Sequence, residues 1–541
     1  MKLTPVGKLF LAVIVLGVVG YVGYRKYGGQ LQSWASKGEA THTEKLSKSD
    51  FQSFGQGQFA DAPRNGNVGQ VQAATVGNGK LNRPLRVAIN TWAGHAPGIV
   101  ANGGFNPGAA TSLYKKKYGI DVQFILIEDP VAKLNAFIKG DVDVMWDTVD
   151  SWAREASTLS EQKMTGKAII QEDWSRGGDG IVSLKSINSI EDLKGKVIAT
   201  TKFTPSHFLL LYLLNQSGLS PEDRTEIENK LVYTAEAPLA AAAFKAGKVD
   251  AAVTWEPDLS GAVAARQAEA HVLVSTTAAT NVIADTLVAR QDIVDSAPQT
   301  LAGFVAGWFD GIDVMREDPA GTNQLVGAAL KLGPDDVSGM LSGLKLTPFA
   351  DNAQFMGIAG PKSYFTQLFN AAFVIWRKKG AVSLAVDAAD HMDSRFVAAL
   401  ADKYKGQTVE ESFAFKDKPK LTDRAIVNKS LSIHFTTGSD DIMPGSYFTL
   451  DSLGETMLSF GNTYLQVEGN TDSRGAASAN RTLSQRRAES VKAYLVKNFA
   501  IPEARFVTVG NGAAKPMASN TTEDGRALNR RTDIKVVLNA Q

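Results

Sequence analysis

Near the C-terminus an aspartate and an arginine are spaced to face each other across a turn. Asp472 lies in the run Val467-Glu468-Gly469-Asn470-Thr471-Asp472-Ser473-Arg474-Gly475, and Arg487 follows in Leu483-Ser484-Gln485-Arg486-Arg487-Ala488. The first run reads as a strand reaching Gly469, then a turn that carries Thr471, Asp472 and Gly475. A helix is predicted over about 478–499, because Leu483, Ala488, Val491, Leu495 and Phe499 recur at helical spacing. Arg487 falls beside that stripe, so it can point back toward the turn. A carboxylate and a guanidinium held close suit a zwitterion: the carboxylate takes an ammonium, and the guanidinium forks onto a carboxylate. The alternative is an Asp–Arg pair that only ties loop to helix, and residue types do not separate the two.

The wider pattern resembles a known family. Ile433-His434-Phe435 with Gly438-Ser439, the T-D-x-x-G turn, Asn480 opening N-x-x-L-S-x-x-R-A, and Asn529-Arg530-Arg531 occur in the order of an OmpA-like peptidoglycan-binding domain, here residues 429–541. The resemblance implies that Asp472 and Arg487 clasp the diaminopimelate of uncrosslinked wall peptides without covalent chemistry. Thr471, Asn480 and Arg530 complete the implied peptidoglycan-binding set. One departure is Asn470, where the family usually has a histidine.

The middle of the chain repeats itself. Ala136-Phe137-Ile138-Lys139-Gly140-Asp141-Val142-Asp143 recurs as Ala243-Phe244-Lys245-Ala246-Gly247-Lys248-Val249-Asp250, and each copy leads to a tryptophan–acid pair, Trp146-Asp147 and Trp255-Glu256. Each copy reads as a helix ending at glycine and a buried strand. Strands are predicted over 85–91, 121–127, 142–147, 197–201, 249–255 and 283–289, with helices over 131–139, 205–216 and 238–246. This alternation predicts parallel, doubly wound sheets in two lobes. From about 294 to 405 the chain reads as mostly helical, including an apolar helix over 364–377.

Residues 85–405 resemble the periplasmic solute-binding proteins of ABC transporters, in the nitrate-, sulfonate- and thiamine-precursor-type branch. The resemblance rests on Arg86-Val87-Ala88-Ile89, Tyr118-Gly119-Ile120-Asp121-Val122, both A-F-x-x-G-x-V-D units and Asp192-Leu193-Lys194-Gly195-Lys196. It implies two lobes with crossovers near 177–180 and 285–290. The expected fold is α/β: a two-lobed doubly wound periplasmic-binding-protein fold, plus a C-terminal α+β OmpA-like domain and an N-terminal transmembrane helix. Ligands of such sheets sit at the carboxyl ends of strands. The candidate solute-binding residues there are Trp92, Trp146, Asp147, Thr204, Ser206, His207, Trp255 and Glu256. Thr204 as N-cap and Pro205 at the first helical position leave an N-terminus suited to an anion. Tryptophans beside Asp147 and Glu256 suit a cation or amidine between aromatic faces. The two readings point to opposite ligand charge. Plain helix capping, core tryptophans and solvated strand ends are the bland alternatives.

The totals bound the rest. The 541 residues carry 44% apolar and 21% charged side chains and a formal charge of +1. Several domains with ordinary cores are expected, with no general attraction to nucleic acid. The absence of cysteine excludes disulfides, thiolate metal sites, cysteine nucleophiles and a lipoprotein anchor, and six scattered histidines show no metal-ligand spacing. Residues 9–24 form an uncharged apolar run preceded by Lys2 and Lys8 and followed by Arg25-Lys26. It sits at the short end for a spanning helix of ~20 residues. No small-x-small cleavage site follows, so residues 1–27 read as an uncleaved anchor. Residues 28–84 are rich in Gly, Gln, Ser and Asn and read as a flexible linker of roughly 40 Å root-mean-square span. Phe51, Phe54 and Phe59 interrupt it. A second linker is expected over 406–428.

This order describes a single-pass inner-membrane protein with its bulk in the periplasm. Its expected partners are peptidoglycan, a small-molecule solute and an ABC-type permease, with no cofactor and no metal. No nucleophile–base or metal constellation calls for an enzyme. The alternatives are a tether whose receptor-like lobes serve as spacer or docking module, and a flagellar-stator-like component. The stator reading needs an intramembrane carboxylate, which residues 9–24 lack.

Overall fold

The computed structural model describes residues 75–76, 79–106, 108, 110–360, 363–409, 413–416, 418–420 and 424–539. The predicted anchor and almost all of the first linker lie outside these residues. Among the described residues no helix is long and apolar enough to cross a membrane.

Two sheets build the middle region. The six-stranded sheet of lobe I runs Leu344–Leu346, Gly166–Ser175, Ala284–Arg290, Val144–Thr148, Leu85–Ile89, Val122–Leu126. The five-stranded sheet of lobe II runs Ala270–Ser275, Asp179–Leu184, Ala251–Trp255, Ile198–Thr201, Leu231–Thr234. Gly166–Ser175 ends lobe I and Asp179–Leu184 opens lobe II; the chain returns between Ala270–Ser275 and Ala284–Arg290.

The sheets are mixed, which corrects the expectation of parallel ones. Ala284–Arg290 is antiparallel to both of its neighbours, and so is Asp179–Leu184. The reason lies in the crossovers. The other long strands of each lobe aim their carboxyl ends at the cleft between the lobes. A strand that arrives from the opposite lobe must start at that edge, so it runs the other way.

The repeated octapeptide has a local cause in both copies. Helix Pro130–Lys139 is capped by Asp129, which accepts from Ala132 N at 2.7 Å, and it ends at Gly140 with φ 76°. Helix Ala237–Lys245 passes through Ala246 to Gly247 with φ 67°. That left-handed conformation favours glycine. The repeated aspartates then tie the lobe together: Asp143 Oδ2 accepts from Arg86 N at 3.0 Å, and Asp250 Oδ2 from Val197 N at 2.8 Å.

The C-terminal domain has four strands in the order Ala425–Leu431, Thr532–Leu538, Thr463–Asn470, Phe506–Gly512. Ala425–Leu431 begins inside the stretch read as the second linker. Helix Ala477–Phe499 packs on this sheet through Asn480, Ser484, Ala488, Val491, Leu495 and Phe499. Leu483 stands at the margin of the buried stripe, and Ser484 takes its place because Gly469 lets the Ser484 carbonyl approach the strand. The domain rests on lobe II and its hinge. Tyr212 OH donates to Ser459 Oγ at 2.8 Å, Glu191 Oε1 accepts from Asn428 N at 3.0 Å, and Thr280 Oγ1 accepts from Gly461 N at 2.9 Å.

Candidate functional site

Two places concentrate the candidate side chains. The first is the turn after strand Thr463–Asn470. Asp472 is 8% exposed. Its Oδ1 accepts from Arg474 N at 3.0 Å and its Oδ2 from Arg530 Nη1 at 2.7 Å. Burial opposes ionisation, but the Arg474 N–H and the Arg530 guanidinium outweigh it and hold the carboxyl below its ordinary range. Asn480 donates to the Asp472 carbonyl at 3.3 Å and the Arg474 carbonyl at 2.9 Å, which fixes the turn against the helix. Thr471 N donates to Gly512 O at 2.9 Å, while its buried Oγ1 has no partner.

Arg487 does not pair with Asp472. Its Nε donates to Ser439 O at 3.0 Å, and the guanidinium lies over the Phe435 ring at 4.8 Å. Its terminal nitrogens make no hydrogen bond or ion pair among the described residues. Asp472 still contributes to the field at Arg487. The loop-to-helix tie is thus made by Asn480, and the ionic partner of Asp472 is Arg530. Sequence reading did not single out Glu523, which binds Arg530 Nη2 at 3.0 Å and Arg474 at 3.2 Å. Asn470, at the departure from the family pattern, donates to Asp533 Oδ2 at 3.0 Å.

The second place is the interlobe cleft. Asp147 is fully buried and pairs with Lys133 Nζ at 3.3 Å, which also reaches Glu155 at 3.2 Å. Burial and then the Glu155 carboxylate push Asp147 well up, against the pull of Lys133. Lys133 also covers the Trp146 ring at 4.6 Å, and Trp146 Nε1 donates to Ile127 O at 3.2 Å. Glu256 Oε2 caps the next helix through Ser260 N at 3.0 Å. Trp255 is half-buried and stands opposite Asp179 in the sheet. Trp92 donates Nε1 to Asp173 Oδ2 at 3.1 Å.

Thr204 caps helix Pro205–Gln216, accepting from His207 N at 3.4 Å and donating to Thr201 O at 2.7 Å. Ser206 Oγ is buried without a partner. His207 takes Phe203 N on Nδ1 at 3.1 Å, and Tyr233 OH lies 3.3 Å from Nε2. Burial, then Lys379 and Lys202, push its pKa down to about 3, so it is neutral and brings no charge to an anion. The lobes meet here: Arg154 of lobe I lies over Phe203 of lobe II at 5.6 Å. The structure therefore engages Asp147 and Glu256 internally and brings Trp92 and Trp255 beside different acids, Asp173 and Asp179. Nothing in their spacing marked those acids; only the sheet register assembles them.

Comparisons with known proteins fall into the same two parts. Residues 434–530 match the family model described as "OmpA family". The peptidoglycan-associated lipoprotein of Pseudomonas putida is 32% identical over 115 residues, which is 21% of this chain and 68% of that protein. The C-terminal domain belongs to the OmpA family. Outer membrane porin F of Pseudomonas fluorescens is 40% identical to the same region over 116 residues, 21% of this chain and 35% of the porin. The chain thus spans about a third of the porin's length. Residues 109–322 match the family model "NMT1/THI5 like". Among solved structures, the periplasmic aliphatic sulphonate binding protein SsuA from Escherichia coli aligns with 63% of this chain and 98% of its own. That alignment has 17% identity and a TM-score of 0.44.

The turn and the helix of this OmpA-like domain thus present charges of opposite sign. Asp472 is a fixed anion at the bottom of the turn. Arg487 is a guanidinium with its fork unspent, held over the Phe435 ring. A guanidinium in that state suits a carboxylate.

Proposed function

We propose that this chain is a periplasmic solute-binding protein tethered to peptidoglycan by its OmpA-like domain and to the inner membrane by residues 1–27. The observation that carries the reading is the presence, on one chain, of a two-lobed NMT1/THI5-like domain and an OmpA-like domain whose Arg487 fork is unspent beside Asp472. The wall ligand is a diaminopimelate-type peptide, with its ammonium on Asp472 and a carboxylate on Arg487. Thr471, Asn480 and Arg530 hold the turn. The lobes close on a small solute and present it to an ABC-type permease, with no covalent step.

The test is co-sedimentation of the full chain with purified diaminopimelate-type peptidoglycan. Wild type should sediment, and Asp472→Ala and Arg487→Ala should each weaken capture; unchanged capture in both variants overturns the tether. Carbonate washing of membranes should leave the full-length chain in place. A soluble chain beginning after residue 24 would remove the anchor.

A second reading has its own support. The OmpA-like domain packs directly on lobe II and the hinge through Ser459, Asn428 and Gly461. That suits lobes acting as a rigid spacer. Trp255→Ala separates the two: loss of solute-induced stabilisation with an intact ligand-free fold supports the receptor, and simple unfolding supports the spacer.

A further inference from the structure

The cleft edge gathers acids that no internal cation matches. Asp285 is the second residue of the return strand and stands opposite Asp173 on one side and Thr148 on the other. Asp150 follows two residues after Thr148, in the first turn of helix Val149–Glu161. Asp179 opens the first strand of lobe II, opposite Trp255. Asp150 and Asp173 are fully buried, Asp179 is nearly so, and Asp285 is partly open. None of these four carboxyls is in an ion pair among the described residues.

Their neighbours are treated differently. Glu172 is matched by His95 Nδ1 at 2.6 Å, Asp147 and Glu155 share Lys133, and Arg154 is engaged by Glu155 at 3.1 Å. A second observation points to a ligand. Asp150 Oδ1 and Asp173 Oδ1 are buried polar atoms with no hydrogen-bond donor, as are Asp147 Oδ2, Glu155 Oε2 and Glu172 Oε1 beside them, so the cleft edge as a whole is short of donors. Buried acceptors in that state are costly, and nearly all such groups in folded proteins have a partner. Aromatic surface flanks the acids. Trp92 is fixed to Asp173 through its indole N–H, and its ring lies against Gly178 of the crossover, where an added Cβ would meet it at 2.9 Å. Trp255 neighbours Asp179 across the strands.

We propose that the interlobe cleft takes an organic cation. The ammonium or amidinium group of a small solute is seated between Asp173 and Asp285 of lobe I and Asp179 of lobe II, flanked by Trp92 and Trp255. This inference rests on the receptor reading and names the charge of its solute. An ammonium brings three donors, and an amidinium is planar and stacks on indole faces. A metal ion is the less suitable occupant, since no group of three or more His, Cys, Asp or Glu is disposed to hold one among the described residues. Asp150, in the first turn of helix Val149–Glu161 of lobe I, suits the second charge of a diamine. The anion alternative has weaker support. The helix N-terminus at Thr204 is already capped, and His207 is neutral.

The experiment uses the full chain, with calorimetry and thermal shift against benzamidinium, putrescine and choline, and against ethanesulfonate and nitrate at equal ionic strength. At least one cation should bind and raise the melting temperature, and the anions should not. Asp179→Asn and Asp285→Asn should each weaken that cation by about tenfold or more without lowering the ligand-free melting temperature. Stabilisation by ethanesulfonate or nitrate, with the cations silent, overturns the cation site and leaves the receptor standing. A cation that binds both variants as it binds wild type sits elsewhere, which also overturns it. Silence of all five probes overturns the proposal, and peptidoglycan capture then decides separately whether the tether survives.

Discussion

The turn at Asp472 and the interlobe cleft hold charged side chains in opposite ways. In the OmpA-like domain the charges are shallow and only partly spent. Asp472 leans on Arg530, and Arg487 keeps its fork open over Phe435. In the cleft the charges are deep. Some have a cation beside them, as with Lys133 between Asp147 and Glu155, and some have none, as with Asp150 and Asp173. A shallow site can be altered with little loss of fold, because water replaces whatever is removed. A buried site links recognition to stability, because each carboxyl not matched by a cation works against folding.

That contrast can be broken most forcefully at Lys133. Lys133→Met should cost about 3–5 kcal/mol in denaturant unfolding, because it leaves the buried Asp147 carboxyl without a cation and Glu155 with Arg154 alone. A loss under 1 kcal/mol would mean that Asp147 and Glu155 are not held as a charged pair.

The pH dependence of the cleft comes next. Burial raises Asp150 to about 6 and Asp179 to about 7, against 3.8 for an ordinary aspartate. The folded chain thus binds these protons more tightly than the unfolded chain, and stability falls as pH rises from about 4 to 7. His207, pushed down to about 3, and His391, pushed down to about 4 by burial, act in the other direction. Their contribution grows as pH rises through that range toward 6.5, the ordinary histidine value, and is complete above it. Above pH 6.5 the acid dominates. Asp179→Asn should therefore raise stability at pH 8 by up to about 4 kcal/mol and change it little at pH 4. Equal effects at both pH values would refute this.

Arg487→Ala sharpens the other half of the comparison. Peptidoglycan capture should drop by the about 1.5–3 kcal/mol typical of hydrogen bonds to charged groups, while the melting temperature stays within a degree or two. A large fall in melting temperature would make Arg487 a structural residue. The smallest effect is expected where the two regions touch. Ser459→Ala removes the bond from Tyr212 and should cost about 1 kcal/mol, read as weaker protection of the Ser459 segment in hydrogen exchange.

The sequence was legible where a local rule operates. Helix Pro205–Gln216 has the bounds read from its cap and its proline, and the glycines of the two octapeptides mark left-handed helix ends. The turn at Thr471–Asp472 and the helix carrying Arg487 were also visible, because a motif fixes both. Strand direction was not. Alternating strand and helix is compatible with a parallel sheet, and only the two crossovers force Asp179–Leu184 and Ala284–Arg290 to run backward. The cleft acids escaped for a related reason. Asp150, Asp173, Asp179 and Asp285 come from four elements, and Glu172-Asp173 sits in an unremarkable strand.

What the chain by itself determined is the list of parts: a repeated helix–Gly–strand unit, an OmpA-like signature, and the residue types at both sites. Tertiary structure alone decided which charge meets which. Asp147 and Asp173 are both buried aspartates at the cleft ends of strands, but Lys133 of a neighbouring helix reaches one, and an indole N–H and the Asp285 carboxyl reach the other. Burial removes water as the default partner. The fate of each carboxyl then rests on whether packing brings a cation within about 4 Å, and that distance is set by the fold rather than by spacing along the chain.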